Sequence, residues 1–124
     1  VDLNDDGLDD LVVSLIDTPA ALLLNNSLAV GNRIQLHLIG TQSCRSAEGT
    51  LIEVETAAGK TTHHMTRNAG YLSSNSSVIT LGLGADKTID RLRIHWPGGA
   101  IQDPGPVTSG KSYTVIQGRQ ALVN

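Results

Sequence analysis

Phenylalanine is absent from this 124-residue chain, and its aromatics are confined to Tyr71, Trp96 and Tyr113. A core must therefore be built from Leu, Ile, Val and Met65, and stacking platforms for single-stranded nucleic acid are nearly lacking. The single cysteine, Cys44, excludes an internal disulfide and says little about redox compartment. No apolar run approaches the roughly 20 residues of a membrane-spanning helix, so no membrane span is expected, and no signal peptide is read in these residues. Basic residues are missing from positions 1–32, which hold six Asp (Asp2, Asp5, Asp6, Asp9, Asp10, Asp17) and no Lys or Arg. Positions 33–124 reverse this with nine basic and six acidic side chains. The split suggests two pieces with different tasks, the first a cation site. Nothing is basic enough for an evident nucleic-acid binder.

The residues that are present point to one small globular domain with an added fragment. Hydrophobic residues make up 40% and charged ones 17%, a balance that supports a buried core and argues against disorder. The chain opens at Val1, without Met and inside a motif, so it reads as the C-terminal piece of something longer. Residues 10–16 and 20–25 are short apolar runs parted by Asp17-Thr18-Pro19, and read as two strands. Ile34, Leu36 and Leu38 then alternate with Arg33, Gln35 and His37, the period of a half-buried strand. The alternation returns at Ile52, Val54 and Thr56, and the turn Ala58-Gly59-Lys60 leads into a more polar strand, making a hairpin. Further strands are expected over 76–83, 89–96 and 113–117. No segment carries an uninterrupted helical stripe. The fold class expected is all-β, a small sandwich or barrel over 31–118 with a tail at 119–124, preceded by a separate piece over 1–30.

The strongest chemical signal is Asp2-Leu3-Asn4-Asp5-Asp6-Gly7-Leu8-Asp9-Asp10. It places oxygen ligands at alternate loop positions and a Gly at the sharp turn, the arrangement that converges on a hard cation. Calcium is the expected ion, with side-chain oxygens of Asp2, Asn4, Asp6 and Asp10 and the backbone carbonyl of Leu8 as ligands. Position 12 is Val13, so the bidentate Glu of an EF-hand is missing, and a Val-Val run stands where the exit helix would be. The loop therefore feeds a strand. The alternative is an acidic surface turn without an ion.

These residues, with the Ala21-Leu22-Leu23-Leu24-Asn25-Asn26 run, resemble the last FG-GAP or VCBS-type repeat of a calcium-binding propeller, and the resemblance implies that residues 1–30 are part of a propeller blade with a calcium loop. The region from Gly31 onward is similar to the ASPIC and UnbV domain, named after cartilage acidic protein and a protein of enediyne biosynthesis clusters. The matching pieces, in order, are Gly31-Asn32-Arg33, Ser43 to Gly49, Gly70-Tyr71-Leu72-Ser73, Leu81-Gly82-Leu83-Gly84, Asp90-Arg91-Leu92, Trp96-Pro97-Gly98-Gly99 and Tyr113-Thr114-Val115. The resemblance implies export to the periplasm, cell surface or extracellular space, calcium binding and a binding or matrix role. It brings no catalytic residues.

Five further signals compete with plainer readings. Gly105 to Ser112 spells GxxxxGK[ST], yet a P-loop needs a strand before it and a helix after it, and Tyr113 to Ile116 is β-patterned. No nucleotide is expected. His63 and His64 are adjacent on a strand, so their rings face opposite ways and do not share one metal ion easily. Cys44 beside Arg45 lacks the context of a nucleophilic thiol. Arg91, Arg93 and His95 alternate with Leu92, Ile94 and Trp96, forming a cationic stripe that is either an ordinary solvated face, neutralised by Glu53 and Glu55 on a paired strand, or a site for an anionic glycan. Asn25 and Asn75 head formal glycosylation triplets, meaningful only in a eukaryote.

The expectation is a non-enzymatic, calcium-binding adhesion or binding module, attached to upstream propeller repeats and meeting an unidentified protein or glycan partner. The rivals are a domain of a hydrolase or biosynthetic-cluster enzyme, and a structural propeller cap. Outside the cation loop the carboxylates Glu48, Glu53, Glu55, Asp86, Asp90 and Asp103 show no catalytic spacing.

Overall fold

The computed structural model describes residues 2–4, 6, 8–28, 31–68 and 70–124. The chain divides into two compact units, residues 1–30 and 31–124. All regular elements among the described residues are strands, as the period-two patterning requires.

In the first unit, β1 (Leu11–Val13) and β2 (Ala21–Leu23) form an antiparallel hairpin with Leu11 opposite Leu23 and Val13 opposite Ala21. Both are shorter than the apolar runs suggested. Asp17 adopts a positive φ of 62° between them, and Pro19 carries no N–H for a ladder, so pairing stops before the turn. Leu11, Val12, Leu22 and Leu23 are all exposed. A two-stranded hairpin is marginal by itself, so polar ties from Asp10 and Asn25 carry much of its order.

The second unit is a two-sheet sandwich. One sheet has the order β10 (Leu122–Val123), β9 (Ser112–Ile116), β3 (Asn32–Ile39), β6 (Val78–Gly84). The other runs β5 (Gly59–His64), β4 (Leu51–Thr56), β7 (Arg91–His95), β8 (Ile101–Gln102). β3 pairs antiparallel with β6 and parallel with β9, where Leu36 meets Tyr113 and Leu38 meets Val115. In the second sheet β4 is the hub, with Ile52 between His63 and Ile94 and Val54 between Thr61 and Leu92. The strands at residues 101–102 and 122–123 are too short to show a period, and sequence patterning alone passes over them.

Alternation decides the faces. Ile34, Leu36, Leu38, Leu81, Tyr113 and Val115 of one sheet and Ile52, Val54, Leu92 and Ile94 of the other are buried in a single cluster. Each such aliphatic side chain contributes about 1.5–3 kcal/mol relative to exposure. Met65 and Trp96, each one residue beyond the β5 and β7 ends that pair with Leu51, are buried in the same cluster. The branched aliphatics fill the space that phenylalanine would occupy in many sandwiches.

Two glutamines lock one end of the sandwich. Tyr113, Val115 and Gln117 follow one another on the same face, so the alternation carries the Gln117 side chain inward, where it is buried. Its Oε1 accepts hydrogen bonds from the backbone amides of Thr41 (3.0 Å), Gln42 (2.9 Å) and Ser43 (3.0 Å), and from Ser43 Oγ (3.0 Å). The loop that supplies these amides curls tightly enough that a Cβ on Gly40 would collide with the Cys44 carbonyl oxygen. Gln102 does the matching task nearby. Its Oε1 accepts from Trp96 Nε1 (2.8 Å) and the Gly118 amide (3.0 Å), while its Nε2 donates to the carbonyls of Ile116 and Arg119.

Replacing Gln117 by Leu keeps the volume and removes the acceptor, stranding three backbone donors. We expect a loss of about 1–3 kcal/mol for a buried donor left unpaired, read as a lower urea midpoint with unchanged m value. An unchanged midpoint would show that water satisfies these amides.

Candidate functional site

The acidic loop is organised around Asp10, which is buried although it is charged. It stands immediately before β1, and its carboxylate reaches both ways along the chain. Oδ2 accepts from the Leu3 amide at 2.9 Å and Oδ1 from the Asn25 amide at 2.8 Å, beyond the end of β2. Asn25 returns a hydrogen bond from Nδ2 to the Asp9 carbonyl at 3.3 Å, and its Oδ1 accepts from Ser27 N and Oγ. One carboxylate thus ties the start of the loop to both ends of the hairpin. These amides, the Asn25 one foremost and then that of Leu3, hold the Asp10 carboxyl below the usual range against the opposing pull of burial.

The remaining loop residues form successive side-chain turns. Asn4 Nδ2 donates to Asp6 Oδ2 at 2.9 Å, the Asp6 amide donates to Asn4 Oδ1 at 3.3 Å, and the Leu8 amide donates to Asp6 Oδ1 at 2.8 Å. Asn4 and Asp6 are therefore brought together, with Asp10 anchoring the loop's end. Asp5 and Gly7, the latter expected at the sharp turn, lie outside the described residues. Among the described residues no three His, Cys, Asp or Glu side chains form a ready ligand group.

The stripe Arg91, Arg93 and His95 does project from one face of β7, opposite to the buried Leu92 and Ile94. Pairing with β4 puts a carboxylate beside each arginine: Glu55 opposite Arg91 and Glu53 opposite Arg93. Arg91 Nη1 lies 3.9 Å from Glu55 Oε2, a loose exposed pair of little energetic weight. Glu53 is more engaged. It receives Lys60 Nζ at 2.9 Å from β5 on its other side, and His95 Nε2 lies 3.4 Å from its second oxygen without hydrogen-bond geometry. The hydrogen bond from Lys60 foremost, with a smaller contribution from the nearby His95, holds the Glu53 carboxyl below its ordinary value despite partial desolvation. The face is thus a lattice of mixed charge, with Lys60, Arg91 and Arg93 set against Glu53 and Glu55.

The other signals resolve separately. His63 and His64 take opposite sides of β5, His63 beside Ile52 with Nε2 3.3 Å from Thr61 Oγ1, and His64 beside Leu51. His37 belongs to the other sheet from His95. Cys44 is exposed, and its Sγ lies 2.9 Å from Ser46 Oγ. That side-chain hydrogen bond, and the Ser46 amide after it, lowers the thiol's pKa. The segment 105–112 leads into strand β9 rather than a helix, and its amides are already committed: Thr108 N donates to the Tyr113 hydroxyl at 2.8 Å and Gly110 N to the Arg33 carbonyl at 2.7 Å. Tyr71 and Leu72 stand almost wholly exposed between Gly70 and Ser73, Leu72 with a positive φ of 51°.

Two sheets closed on one aliphatic layer, with polar chemistry confined to an outer face and to the loops at the ends, define a small β-sandwich domain. Its particular family is set by the sequence of those strands and loops. The chain belongs to the ASPIC and UnbV family, whose model matches residues 40–122, from the glycine before the Gln117-bound loop into β10. No curated protein and no solved structure matches the chain.

Sequence patterning passed over the Gln102–Gln117 arrangement. Its one local trace is a glutamine at an inward position of the alternation, two residues after Val115.

Because the folded pKa of Asp10 lies below its unfolded value, its contribution is complete above the ordinary carboxylate range near about pH 4 and is lost as pH falls through the folded value. Asp10→Ala is expected to lower the hydrogen-exchange protection factors of the Leu3 and Asn25 amides at neutral pH, and acidification of the native chain should lower them too once the pH dependence of intrinsic exchange is divided out. Unaltered exchange in the variant would remove Asp10 from this role.

Proposed function

We propose that this chain is a non-enzymatic, calcium-binding binding or adhesion module of an exported or extracellular protein, joined to propeller repeats of FG-GAP or VCBS type. The observation that carries the reading is the loop of residues 2–10, an alternating series of oxygen donors closed by Asp10. Asp2, Asn4, Asp6, Asp10 and the Leu8 carbonyl offer only hard oxygens, the donor chemistry suited to calcium. Asn4 and Asp6 are already adjacent. A bound cation would neutralise like charges in this segment and stiffen the entry to β1.

The binding role is supported by the outer face of the β5–β4–β7 sheet. Its basic groups outnumber its carboxylates, and Arg91, Arg93 and His95 share one strand face. An anionic glycan or an acidic protein surface is the complementary partner. The non-enzymatic reading is supported by the engagement of Glu53 and Glu55 with Lys60 and Arg91 in ion pairs across the sheet. Asp10, Glu53 and Asp86, held below the ordinary carboxylate range, are themselves unsuited to act as general acids at neutral pH.

Calcium is expected to raise the thermal midpoint of the chain, and Asp6→Ala to abolish that rise. A rise that survives the substitution would exclude Asp6 as a ligand. On a sulfated-glycan column the native chain should be retained at low salt and released as salt screens the contact. The Arg91→Ala, Arg93→Ala double variant should elute earlier, and equal elution would discard the stripe as a binding face.

A further inference from the structure

A cleft of about 410 Å³ opens at the end of the sandwich where the two glutamines meet. That volume falls in the range of roughly 300–1,000 Å³ typical of small-molecule sites. Its floor is set by Trp96, Gln102 and Gln117, and hydrogen bonds to the indole, the amides and the carbonyls around them hold all three in place. The floor joins three segments that are remote in sequence: the 41–43 loop, the 96–102 turn and strand, and the 116–119 strand end. The floor is thus preorganised, and only the exposed rim side chains have freedom to lose when a ligand binds.

The wall chemistry narrows the ligand. Gln42, Gln120 and Arg119 line the cleft and are exposed. Amides both donate and accept, so they suit vicinal hydroxyls, which do the same. Arg119 makes no ion pair among the described residues, leaving its planar fork for a carboxylate, which it can hold in two parallel bonds. Asp103, whose Oδ1 accepts the Gly105 amide at 2.9 Å, adds an acceptor for hydroxyl protons. Ile101 supplies an exposed apolar surface beside these groups, a match for the C–H face of a sugar ring. Trp96 is buried and presents no open aromatic face to a flat ligand. The carboxylate of Asp103 in the same lining repels a doubly charged phosphate more than a singly charged carboxylate, and the loop amides beside Gln117 are already committed to its side-chain carbonyl.

We propose that this cleft is a subsite for a hexuronic acid residue of an acidic polysaccharide. Arg119 holds the carboxylate, Gln42 and Gln120 read the ring hydroxyls, and Ile101 covers the apolar face. The proposal goes beyond the binding-module reading, on which it rests, and adds a sugar subsite at the sandwich end that is separate from the β7 face.

The test is titration of the full chain with a galacturonate trisaccharide, followed by amide NMR shifts and calorimetry, with a neutral galactose trisaccharide and an acidic tripeptide in parallel. Saturable shifts at Gly118, Gln120 and Ala100 are expected with the uronate, and weaker binding by the neutral sugar. Arg119→Ala should weaken uronate binding by roughly ten- to a hundredfold, the worth of a charge-assisted contact, while Arg119→Lys recovers part of it. The fold is checked by the unchanged amide spectrum of β4 and β7. Absence of saturable binding overturns the proposal, as does affinity indifferent to Arg119 or a preference for the tripeptide. Shifts confined to β7 and abolished by the Arg91→Ala, Arg93→Ala variant would also overturn it, while leaving the binding-module reading intact. Loss of both responses would remove the two together.

Discussion

The second unit depends on one constraint: two pleated sheets must bury a single layer of branched aliphatic side chains against each other. Ile34, Leu36 and Leu38 face Ile52, Val54, Leu92 and Ile94 across that layer. Side chains in a strand alternate sides, so this burial dictates everything on the outer surfaces. Arg91 and Arg93 are exposed because Leu92 and Ile94 are not. Glu53 and Glu55 reach the same surface as those arginines for the same reason, since they alternate with Ile52 and Val54. The mixed charge of the face is thus a consequence of core packing, and any partner that uses the face meets carboxylates and guanidinium groups together.

Polar side chains take over where the apolar layer ends. A sandwich closes its sides with sheet but leaves its ends to loops, and loop amides lack the ladder that strands provide. Gln117 resolves this by presenting one carbonyl to three successive amides, and Gln102 by bridging the Trp96 indole to the end of β9. Asp10 plays the corresponding part in the first unit, with a charge where the glutamines use dipoles. The difference matters for conditions. The glutamine locks are indifferent to pH, whereas the Asp10 tie weakens with acid.

The acidic loop joins these structural ties to the cation chemistry proposed for it. Asn4 and Asp6 bind one another and Asp10 binds the backbone, so the loop has an internal hydrogen-bonded organisation built from the same oxygens that would meet calcium. Oxygen acceptors carry more than one lone pair, and a carboxylate that accepts an amide proton retains capacity for a metal.

Much of the strand layout was legible from residues alone. The alternation at 34–38, 52–56 and 91–95 and the turn at 58–60 are local properties, fixed by the period of the pleat and by glycine and proline, and they named the buried faces correctly. Membership of the ASPIC and UnbV family could likewise be read from the ordered run of glycine, tyrosine and tryptophan motifs. Pairing lay beyond that reach. Gln35 aligns with Ser112 in a parallel register, Glu53 stands beside Arg93, and Gln117 accepts from Thr41 across 76 residues of chain. A side chain's face is set by its nearest neighbours in sequence, but its partner is chosen by how whole sheets fit together. For that reason the basic stripe, and Glu53 and Glu55 on a paired strand as the carboxylates that temper it, were visible from sequence, while the register that sets each glutamate opposite its arginine and the cleft floored by two glutamines were decided only by the tertiary structure.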